Sequence, residues 1–180
     1  MKKLILLVTV SATVAGCATK PKIGIVGWSA HFGVGSFAPD VPFFTAAGKN
    51  TTLHRQRQEI ALVAFVEPAR DGRPRILPEL ANLSGRFAYL PLTVVQITMA
   101  TGQCQDVAGL VSGGLSPGSS TIGLWDLGGI AWRAYDRPQS NTVFLIDRHG
   151  KIRDIGRLGE LDSIIKQAER LAWQADFDPC

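Results

Sequence analysis

The sequence predicts an α/β domain with a mixed central sheet covered by helices on both faces. Three observations carry this expectation. Residues 60–66, 92–98 and 142–147 are apolar runs of strand length, as expected for strands buried on both faces. A helical segment separates the first two runs, which makes them a parallel, right-handed crossover. The third run ends in the tight turn Arg148-His149-Gly150, which demands an antiparallel partner.

The 180 residues include 19 basic and 15 acidic side chains, with 46% hydrophobic and 19% charged residues. Such a composition supports one domain of about 100–160 residues with a real core. It excludes a disordered tail, a collagen-like repeat and a coiled coil. The isoelectric point of about 9.2 suggests nucleic acid at first sight. The basic residues are dispersed, however, and Arg70, Arg73 and Arg75 are their densest group. A nucleic-acid partner is therefore not expected.

Met1-Lys2-Lys3 opens the chain, the apolar stretch 4–10 follows, and small residues lead to Val14-Ala15-Gly16-Cys17. This is the layout of a secretory signal peptide, too short to span a membrane. Its last four residues match the bacterial lipobox, in which the cysteine is lipidated and becomes the mature N-terminus; the alternative is an ordinary cleaved signal. Residues 1–16 then form the signal, residues 17–32 the lipidated Cys17 and its tether, residues 33–173 the domain and residues 174–180 a tail. Losing Lys2 and Lys3 lowers the formal charge from +4 to +2. Each buried CH₂ of an acyl chain contributes about 0.8 kcal/mol, so several chains on Cys17 make a durable anchor. By analogy with bacterial lipoproteins, Ala18 after the cysteine favours the periplasmic face of the outer membrane.

Within the domain, residues 68–74 form a breaker-rich loop and residues 77–83 read as helix. A short helix is expected at 104–111, a short strand at 122–125 and one or two helical turns at 129–135. Residues 151–155 return as the hairpin partner. Leu161, Ile164, Ile165, Ala168, Leu171 and Ala172 form one apolar stripe at helical spacing. Glu160 and Asp162 stand near the positive N-terminal end of that closing helix.

Val34-Gly35-Ser36-Phe37-Ala38-Pro39-Asp40-Val41-Pro42-Phe43 resembles the G-x-x-A-P-D-F opening of redoxins. Gly48-Lys49-Asn50-Thr51-Thr52-Leu53 is similar to their following turn. Phe144-Leu145-Ile146-Asp147-Arg148-His149-Gly150-Lys151-Ile152 is similar to their F-L-I-D-x-x-G-K-I hairpin. Trp125-Asp126 through Ala134-Tyr135 resembles their D-x-x-G-x-x-A-x-x-Y segment. The resemblance spans about residues 33–172 and covers peroxiredoxins and membrane-anchored thiol-disulfide oxidoreductases. It implies a thioredoxin-like three-layer sandwich with a mixed central sheet and a closing C-terminal helix.

The resemblance also locates a redox site whose residues are absent. In thioredoxin-like relatives a strand runs into C-x-x-C and then into a helix. Here Phe65 and Leu77-Pro78-Glu79-Leu80 fix the register at both ends, and Arg70 and Arg73 fill the two cysteine positions. Disulfide attack needs a thiolate, and a guanidinium is neither nucleophile nor redox centre. The Thr and Cys of a peroxiredoxin loop are missing too. Asn141 stands where the family has a cis-proline before the hairpin strand, and Pro138 lies three residues too early.

Cys104 is the remaining candidate nucleophile. At the start of a predicted helix it is either a thiol activated by helix-start amides or a small, half-buried hydrophobe. A bond from Cys104 to Cys180 is a further possibility in an oxidising compartment. His31, His54 and His149 are scattered, so no metal site is expected, and no cofactor is implied. His149 reads as a turn residue, and Trp28, Phe32, Phe37, Trp125 and Trp132 read as packing residues. The loop containing Arg70, Arg73 and Arg75 is either a solvated basic loop or a seat for an anion or acidic partner. The expectation is a lipid-anchored envelope protein, redox-inactive at the usual site, that binds or assembles an unknown envelope partner. The competing reading is a divergent thiol-disulfide oxidoreductase or peroxidase using Cys104.

Overall fold

The computed structural model describes residues 32–45, 47–57, 59–68, 76–100 and 121–175. The first strands are β1 (Pro42–Thr45) and β2 (Asn50–Thr52), followed by α1 (Leu53–Gln56), β3 (Ile60–Val66) and α2 (Pro78–Arg86). Then come β4 (Leu92–Ala100), β5 (Ile122–Leu127), α3 (Ile130–Ala134), β6 (Thr142–Ile146) and β7 (Ile152–Arg157). A 3₁₀ turn at Leu158–Glu160 leads into α4 (Leu161–Ala175). One sheet joins the strands in the order β2-β1-β5-β4-β3-β6-β7.

The apolar runs occupy the middle of this sheet. β3 pairs parallel with β4, from Ile60 opposite Leu92 to Val66 opposite Thr98, as the crossover through α2 requires. Its other side pairs antiparallel with β6, and β6 turns back into β7. Gly150 closes that turn at φ +84°, donating its N–H to the Asp147 carbonyl at 2.9 Å. The helix predicted from Leu77 starts at Pro78, whose missing N–H costs nothing at the first helical position.

Alternate residues of β3 build two core layers. Ala61, Val63 and Phe65 face a layer containing Phe43, Val95, Ile97, Leu124, Tyr135 and Phe144. Ile60, Leu62 and Ala64 face Leu80 and Leu83 of α2 and Ile164, Ile165 and Ala168 of α4. Each leucine or isoleucine among them contributes about 1.5–3 kcal/mol by leaving water. The stripe predicted for the closing helix is the face that packs. Gly156 lets it approach, because a Cβ there would sit 2.7 Å from Ile164 Cδ1.

The β1–β2 hairpin and α1 are absent from the sequence expectation. With four, three and four residues, they are too short for periodicity to register. Only their turn was legible, and Gly48 occupies it at φ +69°. The segment before β1 lies along the start of β7: Gly35 N–H reaches the Ile152 carbonyl at 2.7 Å and Ala38 N–H the Gly150 carbonyl at 2.8 Å.

Candidate functional site

Parallel β3 and β4 deliver their C-terminal ends to one end of the sheet, where antiparallel β6 begins. Phe65 stands opposite Thr142, so residues 67–68 at the end of β3 and the loop 136–141 before β6 meet at that end. Arg70 and Arg73 follow in sequence and lie outside the described residues, as do Cys17, Cys104 and Cys180. Asn141 is described, and the register brings it beside the strand end that feeds the Arg70–Arg73 positions.

Asn141 is built as a non-proline position. Its N–H donates to the Phe65 carbonyl at 2.8 Å, and its own carbonyl accepts the Leu158 N–H at 2.9 Å. Its φ is +66°, in the left-handed region that asparagine tolerates. Proline has no N–H and is locked near φ −65°, so it can satisfy neither condition. The residue thus ties the ends of β3 and β7 together.

The rest of the loop is held in a similarly demanding conformation. Asp136 and Arg137 also have positive φ, at 57° and 54°. Arg137 donates its N–H to the Trp132 carbonyl at 2.7 Å, and Trp132 Nε1–H donates to the Pro138 carbonyl at 3.0 Å. Arg157 reaches Gln139 Oε1 at 2.7 Å, and Ser140 Oγ accepts the Glu67 N–H at 3.4 Å. Three left-handed non-glycines held by their neighbours cost free energy that the surrounding contacts must offset.

Beneath the start of α2 sits Gln96, a buried polar residue in the middle of β4. Its Oε1 accepts the Leu77 N–H at 2.8 Å, and its Nε2 donates to Thr98 Oγ1 at 3.2 Å. Asp126, also buried, accepts the N–H groups of Ala131 and Trp132 at 3.0 and 2.8 Å and so starts α3. Gln96 was not singled out from sequence, although a glutamine inside an apolar run is a visible signal, and Asp126 entered only as part of the D-x-x-G segment. Burying either polar group without these bonds would cost about 1–3 kcal/mol.

The remaining predicted positions lie elsewhere. His149 is the turn residue expected, its N–H bonded to Asp147 Oδ1 at 2.9 Å, and His54 Nδ1 lies 3.1 Å from Arg57. Among the described residues no group of three or more His, Cys, Asp or Glu is placed to hold a metal ion. Phe32 and Trp125 pack as expected, whereas Phe37 is 64% exposed. Phe37 is held outside the core because its backbone bridges to Lys151 at the edge of the sheet.

A parallel β3–α2–β4 crossover, an antiparallel β6–β7 hairpin and a closing helix on one mixed sheet define a thioredoxin-like fold. Solved structures share it. An uncharacterized conserved protein from Geobacillus kaustophilus superposes with a TM-score of 0.63 at 16% identity, covering 80% of this chain and 84% of its own. A putative thiol:disulfide interchange protein DsbE from Chlorobium tepidum gives 0.59 at 19% identity, covering 77% and 99%. A putative protein disulfide isomerase from Bacteroides thetaiotaomicron gives 0.53 at 22% identity, covering 77% and 89%. At these identities the likeness concerns the fold. No protein-family model and no curated protein matches the sequence.

Proposed function

We propose that this chain is a lipid-anchored thioredoxin-like protein of the bacterial cell envelope, acting as a binding or assembly module without dithiol chemistry at the usual position. Asn141 carries this reading. Its N–H bond to Phe65 and its φ of +66° make the loop before β6 unsuited to the family's proline. This agrees with the loss of both cysteines to Arg70 and Arg73. Two separate parts of the redox site have changed together. The fold is retained, and the loop before β6 is tied to the ends of β3 and β7.

The test is turnover. With dithiothreitol, the mature protein should reduce insulin disulfides no faster than the background. The double variant Arg70→Cys/Arg73→Cys should form its bond but turn over poorly, because Asn141 still occupies the proline position. Efficient insulin reduction by the unaltered protein would overturn the proposal. Cys104→Ser would then show whether that sulfur is responsible.

Anchoring is supported by Val14-Ala15-Gly16-Cys17 after the apolar stretch. Among the described residues no helix is long and apolar enough to cross a membrane. Cys17→Ser should leave an unprocessed precursor or a soluble protein. A detergent-phase fraction equal to that of the wild type would refute the lipid anchor.

A further inference from the structure

A cavity of about 170 Å³ opens where β6 turns into β7, at the far end of β6 from Asn141. It lies between that turn, α1 and the segment that leads from Phe37 into β1. Leu53, Pro39 and Ile146 give it mostly apolar walls, and one guanidinium, that of Arg57, stands among them. The N–H of Arg57 ends α1 by donating to the Leu53 carbonyl at 2.9 Å, and its side chain reaches across to the Asp147 carbonyl. Gly150 lines the cavity beside it at φ +84°. A Cβ there would lie 3.4 Å from Arg57 Nη2, so glycine leaves that side of the guanidinium open.

Arg57 is half-buried, and among the described residues no carboxylate lies within ion-pair distance of it. Its side chain spends N–H groups on two neutral acceptors, the Asp147 carbonyl and His54 Nδ1 at 3.1 Å. A guanidinium has five donors and never accepts, so donors remain unspent. For the same reason His54 Nδ1 accepts, which puts its ring proton on Nε2. His149 Nε2 likewise accepts from Arg148 Nε at 3.2 Å, which puts its proton on Nδ1. Both histidines line the cavity, and each keeps an N–H to offer. Asp40 is the only acid in the lining; it is exposed, and its Oδ1 accepts the backbone N–H of His54 at 3.3 Å.

An apolar cavity with a few convergent polar groups is the form of a small-molecule site. A carboxylate accepts two N–H bonds of one guanidinium at once, and an alkyl tail replaces water against the apolar walls. At about 30 Å³ for each water-sized group, the space holds about six non-hydrogen atoms, the size of a four-carbon acid. We propose that this cavity binds a short-chain monocarboxylate, its carboxylate on Arg57, its tail against Leu53, Pro39 and Ile146, and the two histidines at the mouth. Inorganic phosphate fits poorly, because the apolar walls would leave most of its oxygens without donors. The site shares no residue with the loop before β6, so it stands or falls apart from the loss of dithiol chemistry.

Titration with butyrate tests the site, using the full chain in a non-ionic detergent and the amide resonances of Gly150 and His54 as the readout. Both should shift saturably at millimolar butyrate. Butyramide, which has the same shape without the charge, should bind about tenfold more weakly or worse. Acetate lacks two of the CH₂ groups and should also bind about tenfold more weakly. Arg57→Gln should abolish saturation, with circular dichroism reporting whether it has folded. Asp40→Asn is the second variant: it keeps an acceptor for the His54 N–H, removes the one opposing charge and should tighten binding severalfold. Shifts that never saturate overturn the proposal. So do equal affinities for butyrate and butyramide, phosphate binding as tight as that of butyrate, undiminished binding by folded Arg57→Gln, or weaker binding by Asp40→Asn.

Discussion

Replacing Tyr135 by alanine should destabilise the fold by about 3–5 kcal/mol, the range for removing a buried aromatic ring. Tyr135 is fully buried and meets three other rings. Its centroid lies 5.0 Å from Phe65, 5.3 Å from Phe144 and 5.7 Å from Phe32, all in tilted or edge-on arrangements. Such geometry adds to the area term, because ring edges approach ring faces. The hydroxyl donates to the Pro39 carbonyl at 3.2 Å, so one side chain fastens both the core and the N-terminal segment. Burial pushes the hydroxyl above its ordinary range, so it remains a donor throughout the working pH range. Tyr135→Phe keeps the ring and should cost only about 1 kcal/mol, the value of one hydrogen bond. Urea denaturation of the three proteins measures both differences. A loss below about 1 kcal/mol for Tyr135→Ala would mean that the ring cluster does not hold the segment.

What was legible in the sequence follows the same physics. β3, β4, β6 and α4 are long, strongly patterned and buried in a way that leaves one choice of element. Phe65 and the Leu77-Pro78 pair could be set against the redoxin pattern because a strand end and a proline at a helix start are local facts. The absence of proline at position 141 was legible for the same reason. Its consequence was not. The bond from Asn141 to Phe65 exists only because β6 lies antiparallel beside β3, and the bond from Leu158 only because β7 follows in register. Gln96 was missed because its partner, Leu77, is set by how the elements pack; Asp126 entered only within a motif, and its local role in starting the helix five residues on was not read.

The carboxylate of Asp147 should make stability fall on acidification, and its replacement should remove that dependence. Oδ1 accepts the N–H groups of His149 and Lys151 at 2.9 and 2.8 Å, and Oδ2 meets Arg153 Nε at 2.6 Å. Burial alone would push the carboxyl up. The N–H of Lys151, the Arg153 bond and charge, and the N–H of His149 outweigh it, and the group is held below its ordinary value of 3.8. A depressed carboxyl stabilises the fold fully above its unfolded-state value and loses that contribution as pH falls through the lower, folded value. The window therefore lies below about pH 4. The Arg153 side chain is 41% exposed, so water screens part of the pair and the backbone bonds carry much of the effect. Asp147→Ala leaves two turn N–H groups without their acceptor and should cost about 2–3 kcal/mol near neutral pH. Asp147→Asn keeps an acceptor but loses the charge, and should cost about 1 kcal/mol at pH 7. That second gap should narrow toward pH 3 as the wild-type carboxyl begins to protonate. Thermal unfolding of wild type and Asp147→Asn at both pH values decides it. A gap that stays constant, or widens in acid, would show that the charge at the β6–β7 turn contributes nothing to the fold.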